Sequence, residues 1–147
     1  MLVSTKGRYA LRMMIDIAEH SERERVSLRE IGQRQDISAK YLEQLARSLC
    51  ASGLLNGSRG QGGGYALSKG ADEISVGDIL RSAEGTVAPV SCLAHPETAC
   101  PRRDECTTIE FWAGLDDAIE RYVDAWTLDD LVRGACIQQP PAEDPEA

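Results

Sequence analysis

Residues 27–67 decide the fold, and they read SLREIGQRQDISAKYLEQLARSLCASGLLNGSRGQGGGYAL. Ser27 is followed three residues later by Glu30, which is the capping-box pattern that starts a helix. Ser38 can cap a second helix, which carries leucines at three- and four-residue spacing on one side and polar residues on the other. Gly53 then stands where left-handed backbone commonly ends a helix. Two short helices separated by a short turn predict a helix-turn-helix.

A glycine-rich segment follows this second helix directly. Two short apolar runs, Leu54-Leu55 and Tyr65-Ala66-Leu67, flank the loop 56–64, which contains five glycines and one arginine. On its own, such a loop more often forms a flexible hairpin. A phosphate-binding nucleotide loop fits poorly, because neither a Lys-Ser/Thr pair nor a helix follows the glycines. Placed directly after a helix-turn-helix, the hairpin is expected to be the wing of a winged helix.

A long amphipathic helix is predicted near the C-terminal end. Apolar residues recur there at alternating three- and four-residue spacing, as in a coiled-coil seam: Trp112, Leu115, Ile119, Tyr122 and Trp126. The stripe could pack onto its own domain, but a domain of about 80 residues has a limited core with which to cover it. The prediction is therefore self-association through this helix as a homodimer.

The predicted fold class is mainly α with a small β-wing, a winged helix-turn-helix plus a long C-terminal dimerisation helix. Thr5 is expected to cap a helix in front of this unit, and Ser75 to cap another that packs back onto it. Four parts are expected: a DNA-binding domain at 1–83, a cysteine-bearing loop at 84–107, the dimerisation helix and last turn at 108–134, and a disordered tail at 135–147.

The charge is unevenly distributed along the chain. Residues 1–83 contain 12 Lys/Arg and 10 Asp/Glu, a net charge of +2, whereas residues 84–147 contain 4 Arg and 14 Asp/Glu, a net charge of −10. The total of −8 argues against nucleic acid as a partner of the whole surface. The first part can nevertheless approach a phosphate backbone without strong repulsion. DNA binding is therefore expected of residues 1–83, and sensing or assembly of the rest.

The sequence predicts a cytoplasmic protein with no membrane partner. No apolar stretch reaches the length of a membrane span, and residues 1–6 lack the layout of a signal peptide. Thiols stay reduced in the cytosol, so the five cysteines are not expected to form a disulfide framework. An enzyme is not expected, because the two histidines lie in no general-base or nucleophile pattern.

Three cysteines, Cys92, Cys100 and Cys106, lie within fifteen residues of each other in a polar segment interrupted by proline. Thiolates are soft ligands suited to iron–sulfur clusters or zinc. The spacing differs from the paired C-x2-C pattern of structural zinc sites. Metal binding is the favoured prediction, and ordinary or redox-reactive loop thiols are the alternative.

Three separated motifs resemble one family of bacterial regulators. Residues 5–10 read TKGRYA, residues 37–45 read ISAKYLEQL, and residues 59–65 read RGQGGGY. Together they resemble the IscR/NsrR/CymR family of winged-helix transcriptional regulators, and most closely its IscR-like members. The resemblance implies a homodimer that binds a palindromic operator in double-stranded DNA. It also implies an iron–sulfur cluster, 2Fe–2S with 4Fe–4S as the alternative, held by the three cysteines.

The resemblance and the expected exposure also indicate which residues contact DNA. Glu43 is expected to select bases, and Arg59 to enter the minor groove or contact phosphate. The full set comes from the second helix and from the wing: Ser38, Lys40, Tyr41, Glu43, Gln44, Arg47, Ser58, Arg59, Gly60, Gly62 and Gly63.

The chain departs from the family pattern at the fourth cluster ligand. Ile109 stands where IscR-like members have a histidine, and Arg8 stands where some NsrR-like members have an acid. The fourth ligand is therefore open. It could come from the partner subunit, a small thiol, solvent, or one of the nearby side chains: Glu110, Asp104, Glu105, Glu97 and His95. A cluster-free regulator using redox thiols or zinc, and a protein-interaction adaptor, are the alternative functions.

Overall fold

The computed structural model describes residues 3–20, 22, 25–95, 97 and 100–134. These residues form seven α-helices and one antiparallel pair of strands: α1 (Thr5–Glu19), α2 (Leu28–Gln35), α3 (Ala39–Ala51), β1 (Leu55–Ser58), β2 (Gly64–Leu67), α4 (Val76–Glu84), α5 (Ser91–Ala94), α6 (Ile109–Ala125) and α7 (Leu128–Arg133). The predicted fold class, mainly α with a small β-wing and a long helix near the C-terminal end, is confirmed, and the dimerising role of that helix stays a prediction. No helix in this part of the chain is long and apolar enough to cross a membrane. The predicted tail at 135–147 lies outside the described residues.

Helix α1 forms the centre of the core. Met13, Met14 and Ile17 on one of its faces are buried, and the helix contacts α2, α3, α4 and α7. Its cap is Ser4, whose backbone is extended and whose hydroxyl accepts a hydrogen bond from an amide of the first turn at 3.1 Å. The prediction that Thr5 caps this helix was wrong by one residue, because Thr5 is already helical.

Both helices of the helix-turn-helix begin as predicted. The Ser27 hydroxyl accepts from the Glu30 amide at 3.2 Å, and the Glu30 carboxylate accepts from the Ser27 amide at 3.0 Å, so the capping box is complete. The Ser38 hydroxyl accepts from the amide of Tyr41 at the start of α3. Between the helices, Asp36 adopts left-handed backbone with a φ of 55°, which ends α2. Local capping therefore defines the ends of these helices.

A buried carboxylate joins α2 to α1. Asp16 is fully buried, and Arg34 donates to both of its oxygens, at 2.7 Å to Oδ1 and 3.0 Å to Oδ2. The side-chain amide of Gln35 donates to Oδ2 at 3.0 Å, and His20 Nδ1 lies 3.7 Å from Oδ1. Burial alone would raise the pKa of Asp16, but the hydrogen bonds from Arg34 and Gln35 and the charge of Arg34 outweigh burial and hold that pKa below its usual value. The network fixes α2 against the core.

The wing is the hairpin formed by β1 and β2. Its strands pair antiparallel, with Ser58 opposite Gly64 at the tip, and a single bridge between Val26 and Tyr65 adds the segment before α2. Gly64 has a φ of 145°, and a Cβ there would lie 2.5 Å from the carbonyl oxygen of Val26. Only glycine fits this close approach of two backbones.

The C-terminal part of α6 is attached to the winged helix. Arg81 of α4 forms ion pairs with Glu120 and Asp124 of α6. A Cβ at Gly77 would collide with the Asp124 carboxylate, so the two helices cross closely there. Leu128, the first residue of α7, is fully buried in the core. In contrast, no residue of α6 itself is buried.

Candidate nucleic-acid interface and cysteine loop

Helix α3 separates a buried apolar face from an exposed polar face. Leu42, Leu45, Ala46 and Leu49 are buried in the core. The polar side is exposed and carries five of the predicted DNA contacts: Ser38, Lys40, Glu43, Gln44 and Arg47. A helix that holds hydrogen-bonding side chains on a packed support has the shape and chemistry needed to read a major groove.

An ion pair links two side chains of this polar face. Arg47 Nη2 lies 2.7 Å from Glu43 Oε1, one helical turn away. The two side chains are 74% and 53% exposed, respectively, so the pair contributes little to stability. Glu43 is the only acid on α3. Arg47 therefore offsets the one negative charge that would repel DNA phosphates from this helix.

Tyr41 differs from the other predicted contacts because its ring is half-buried. The ring packs edge-on against Tyr9 of α1, with ring centres 5.7 Å apart. Arg12 lies over the Tyr9 ring, 5.3 Å from its centre. Tyr41 therefore helps to hold α3 against α1, and only part of its side chain remains available to DNA.

The wing tip presents Arg59 on a tight glycine turn. Gly60 and Gly62 have φ values of 92° and 72°. A Cβ at Gly63 would lie 2.6 Å from the carbonyl oxygen of Ser58, so this turn also excludes a side chain. Arg59 itself is exposed. A cation on such a tip can enter a minor groove or contact phosphate oxygens.

A further arginine supports the base of the wing. Arg25 Nη1 donates to the carbonyl oxygen of Asn56 at 3.2 Å, and the amide of Leu54 donates to the carbonyl of Leu49 at 2.9 Å. The wing is thereby joined both to the chain before α2 and to the end of α3. Sequence reasoning missed Arg25 because it ends a charged run that is typical of a solvated turn.

The three clustered cysteines lie on different local structures. Cys92 is half-buried in α5, Cys100 is exposed, and Cys106 is half-buried directly after the turn Arg103–Glu105. All three are free thiols. Within the described parts of the chain, no three His, Cys, Asp or Glu side chains lie close enough together to hold a metal ion. The predicted ligands thus share one accessible segment, but the structure does not gather them into a site.

Cys106 lies three residues before the start of α6. Its Sγ is 3.4 Å from the hydroxyl of Thr108. Hydrogen bonds from the Thr108 side chain and from the backbone of Thr108 and Ile109 lower the pKa of the Cys106 thiol, and the charge of Arg102 adds to the effect. The thiolate is the form that binds metals. Cys106 therefore has the chemistry of a soft-metal ligand.

The positions considered for a fourth cluster ligand lie in varied surroundings. Ile109 is the first residue of α6, and Arg8 Nη2 donates to the Thr5 hydroxyl at 3.5 Å. His95 Nδ1 lies 3.4 Å from Glu97 Oε1. The remaining candidates are exposed acids: Asp104, Glu105 and Glu110. The chain thus offers three thiols, which are the ligands that hold iron–sulfur clusters. Among the described side chains, a fourth ligand is not identified.

Two aromatic side chains of α6 are largely uncovered. Phe111 is 66% exposed and Tyr122 is 57% exposed. Of the predicted interface residues, those other than Tyr122 are half-buried: Trp112, Leu115, Ile119 and Trp126. Sequence reasoning missed Phe111 because it precedes Trp112 by one residue and so falls outside the spacing that defines the seam.

Helices α2 and α3 with the adjoining wing define the class of the protein, which is a winged helix-turn-helix DNA-binding protein. A family model described as "Rrf2: Iron-dependent Transcriptional regulator" matches residues 3–134. The chain belongs to the Rrf2 family of transcriptional regulators.

Individual relatives agree with this assignment. The chain is 40% identical over 137 residues to Protein rrf2 of Nitratidesulfovibrio vulgaris, covering 93% of this chain and 91% of the relative. It is 41% identical over 132 residues to the HTH-type transcriptional regulator IscR of Pectobacterium atrosepticum, covering 90% and 79%. Among solved structures, CymR, the global cysteine regulator of B. subtilis, has a TM-score of 0.73 at 38% identity, covering 92% of this chain and 99% of that one. T. potens IscR has a TM-score of 0.72 at 34% identity, covering 97% and 93%. The IscR and CymR relatives are regulators rather than enzymes.

Proposed function

We propose that the protein is a homodimeric transcriptional regulator whose operator binding is controlled by an iron–sulfur cluster held by Cys92, Cys100 and Cys106. The observation that carries this proposal is the position of three accessible free thiols on one segment between α4 and α6. The IscR relatives support it. The expected cluster is 2Fe–2S, with 4Fe–4S as the alternative.

The DNA-binding part of the proposal follows from α3 and the wing. Lys40 and Gln44 on the polar face of α3 would reach base edges or phosphates in the major groove. Glu43 would accept a hydrogen bond from a cytosine amino group or reject other bases. Arg59 on the wing would contact the adjacent minor groove or backbone. Two copies related by a twofold axis would place two such helices on a palindromic operator.

The regulatory part follows from how the cysteines are attached to the helices. When bound, the cluster would supply iron–thiolate bonds to three points of the 92–106 segment. Cys106 is hydrogen-bonded to the residues that begin α6, whereas Cys92 lies on α5, closer to α4 along the chain. Fixing the separation of these thiols would orient the start of α6 relative to the winged helix. In a dimer, that orientation would set the spacing of the two recognition helices.

Anaerobic purification followed by visible absorption and by iron and sulfide analysis tests the proposal. Each of the three single replacements by Ala, at Cys92, Cys100 and Cys106, should remove or bleach the absorption spectrum of the cluster. Cys50→Ala is the matched control, because burial raises the pKa of the Cys50 thiol on α3 and it should not act as a ligand. Operator affinity measured with and without the cluster then decides whether the coupling is allosteric. A colourless protein that contains no iron would overturn the cluster proposal.

A second candidate function is a cluster-free regulator of the same fold that uses its thiols in redox chemistry. One observation favours it: a structure of the oxidized form of Staphylococcus aureus CymR resembles the chain. That structure has a TM-score of 0.68 at 34% identity and covers 95% of this chain and 100% of its own. An iron-free protein whose operator affinity changes with peroxide and recovers with a reductant would favour this candidate. A protein with no salt-dependent operator binding would instead favour the other alternative, a protein-interaction adaptor.

A further inference from the structure

A hollow of about 310 Å³ lies where the base of the wing meets α4, and we call it the wing-base hollow. Its lining combines charged, hydroxyl and apolar side chains: Ser52, Leu54, Lys69, Asp78, Arg81 and Ser82. None of these six residues is among the DNA contacts or cluster ligands of the proposed function. Ligand sites in proteins usually have volumes of about 300 Å³ or more, so this hollow suits a small molecule.

Hydrogen bonds hold both walls of the wing-base hollow. The amide of Ser68 donates to the carbonyl oxygen of Leu54 at 3.1 Å, which attaches the backbone beside Lys69 to the turn after α3. On the other side, the hydroxyl oxygens of Ser52 and Ser82 lie 2.8 Å apart and join the end of α3 to α4. The walls are therefore in place before any ligand binds, as is usual for small-molecule sites.

Two opposite charges line the hollow without being paired with each other. Lys69 is exposed and forms no ion pair with any of the described residues. Asp78 Oδ1 lies 3.7 Å from Arg81 Nη2, which is beyond hydrogen-bond distance, and Asp78 Oδ2 accepts from the amide of Ser75 at 3.3 Å. Arg81 is itself engaged with two acids of α6. Lys69 and Asp78 therefore both retain the capacity to bind a charged group of a ligand.

The signs of these two charges indicate which class of ligand fits. A purely anionic ligand would be attracted by Lys69 but repelled by Asp78, and a purely cationic ligand would meet the reverse. A zwitterion can place a carboxylate on Lys69 and an ammonium group on Asp78. The hydroxyls of Ser52 and Ser82 can donate to the carboxylate as well, and Leu54 offers an apolar surface to a short side chain. An α-amino acid with a small side chain carries all of these groups.

We propose that the wing-base hollow binds a small α-amino acid as a zwitterion and that its occupancy changes operator affinity. The site uses no cysteine, so it goes beyond the cluster of the proposed function. Lys69 follows β2, Ser52 caps the end of α3, and Arg81 holds α6. The predicted DNA contacts lie towards the start of α3 and at the wing tip, so ligand and operator would occupy separate places. The ligand would thus contact the supports of the elements that bind DNA.

Titration of the full chain with L-alanine, followed by ¹H–¹⁵N NMR spectra, tests the site. Saturable shifts should centre on the amides of Ser52, Lys69, Asp78 and Ser82. Propionate lacks the ammonium group and ethylamine lacks the carboxylate, so each should bind about 10-fold more weakly or worse. The same alanine shifts should appear when the three clustered cysteines are replaced by Ala, which separates failure of this site from failure of the cluster. No saturable shift, shifts centred elsewhere, or equal binding of either analogue would overturn the proposal.

Single substitutions identify the two charged contacts. Lys69→Met and Asp78→Asn should each weaken alanine binding about 10-fold or more, which is the loss expected of one hydrogen bond to a charged group. Asn can still accept from the amide of Ser75, so Asp78→Asn keeps the cap of α4 and should retain the circular dichroism spectrum of the parent. Lys6→Met and Asp117→Asn, which change an exposed lysine and an exposed acid elsewhere, are the controls. A loss of the same size in the controls would contradict a specific site.

Fluorescence anisotropy with a labelled operator tests the coupling to DNA. Saturating L-alanine should change the operator affinity of the parent by about 5-fold or more. Lys69→Met should show no such change at the same alanine concentration. An operator affinity that alanine leaves unchanged in the parent, although NMR shows the site to be occupied, would overturn the regulatory half of the proposal.

Discussion

Replacing the buried carboxylate of Asp16 with the amide of Asn should weaken the attachment of α2 to α1. In the native chain Asp16 accepts hydrogen bonds from Arg34 and Gln35, and the new amide nitrogen would face these donors without accepting from them. Breaking a fully buried charge pair costs about 3–5 kcal/mol. The Arg34 side chain is 31% exposed, so water compensates part of the loss and we expect about 3 kcal/mol. For a chain of this size that corresponds to a fall in Tm of about 6–12 °C.

Urea and thermal unfolding followed by circular dichroism, at one protein concentration, measure this loss. The pH dependence gives a second check. Because the pKa of Asp16 is lower in the folded state than in the unfolded state, its stabilisation is complete above the unfolded pKa and is lost as the pH falls through the folded pKa. The difference between parent and variant should therefore be full at pH 7 and shrink below about pH 4. Arg47→Ala, which removes an exposed ion pair, is the control and should change stability by less than about 1 kcal/mol. An Asp16→Asn protein as stable as the parent at pH 7 would refute the reasoning.

Three further predictions concern DNA binding and the attachment of α6. Glu43→Ala should relax sequence choice across a panel of operator variants, as measured by fluorescence anisotropy, and an unchanged ranking of operators would contradict a role in base selection. Arg59→Ala should weaken binding to all sequences and reduce the slope of log affinity against log salt by about 1, whereas an unchanged slope would exclude a phosphate contact. Arg81→Met should lower the free energy of unfolding by about 1–2 kcal/mol, because the acids it pairs with on α6 lose their partner; urea unfolding that matches the parent would show that these ion pairs add nothing.

The elements that could be predicted from the sequence are those specified by neighbouring residues. The capping box of Ser27 and Glu30 lies within four residues, and the leucine face of α3 repeats within one helix, so both are readable locally. The pairing of Asp16 with Arg34 connects two helices over 18 residues, and no local pattern marks it. The ion pairs of Arg81 with α6 connect positions about forty residues apart, so no local pattern marks them either.

The candidate sites divide in a similar way. The exposed polar face of α3 and the glycine turn around Arg59 follow from periodicity and turn chemistry, and the structure places their side chains at the surface. The cysteines could be recognised as a group by their nearness in sequence, yet nearness does not determine how a polar loop folds. An apolar hollow beside Trp126 could not be predicted at all, because the residues that line it with Trp126, among them Leu11, Val76 and Leu131, come from α1, α4 and α7.

Helix α3 is stabilised by one side and presents its polar residues on the other, and this division has an evolutionary consequence. Its stability comes from Leu42, Leu45 and Leu49 on the buried side, while its exposed side makes one weak ion pair. Substitutions at exposed positions away from special features usually change stability by less than about 0.5 kcal/mol. A descendant gene could therefore acquire a new set of target promoters by exchanging a few surface residues of this helix, without first acquiring compensating mutations elsewhere. Duplicated copies of such a regulator can diverge in the genes they control while each remains a folded protein at every step.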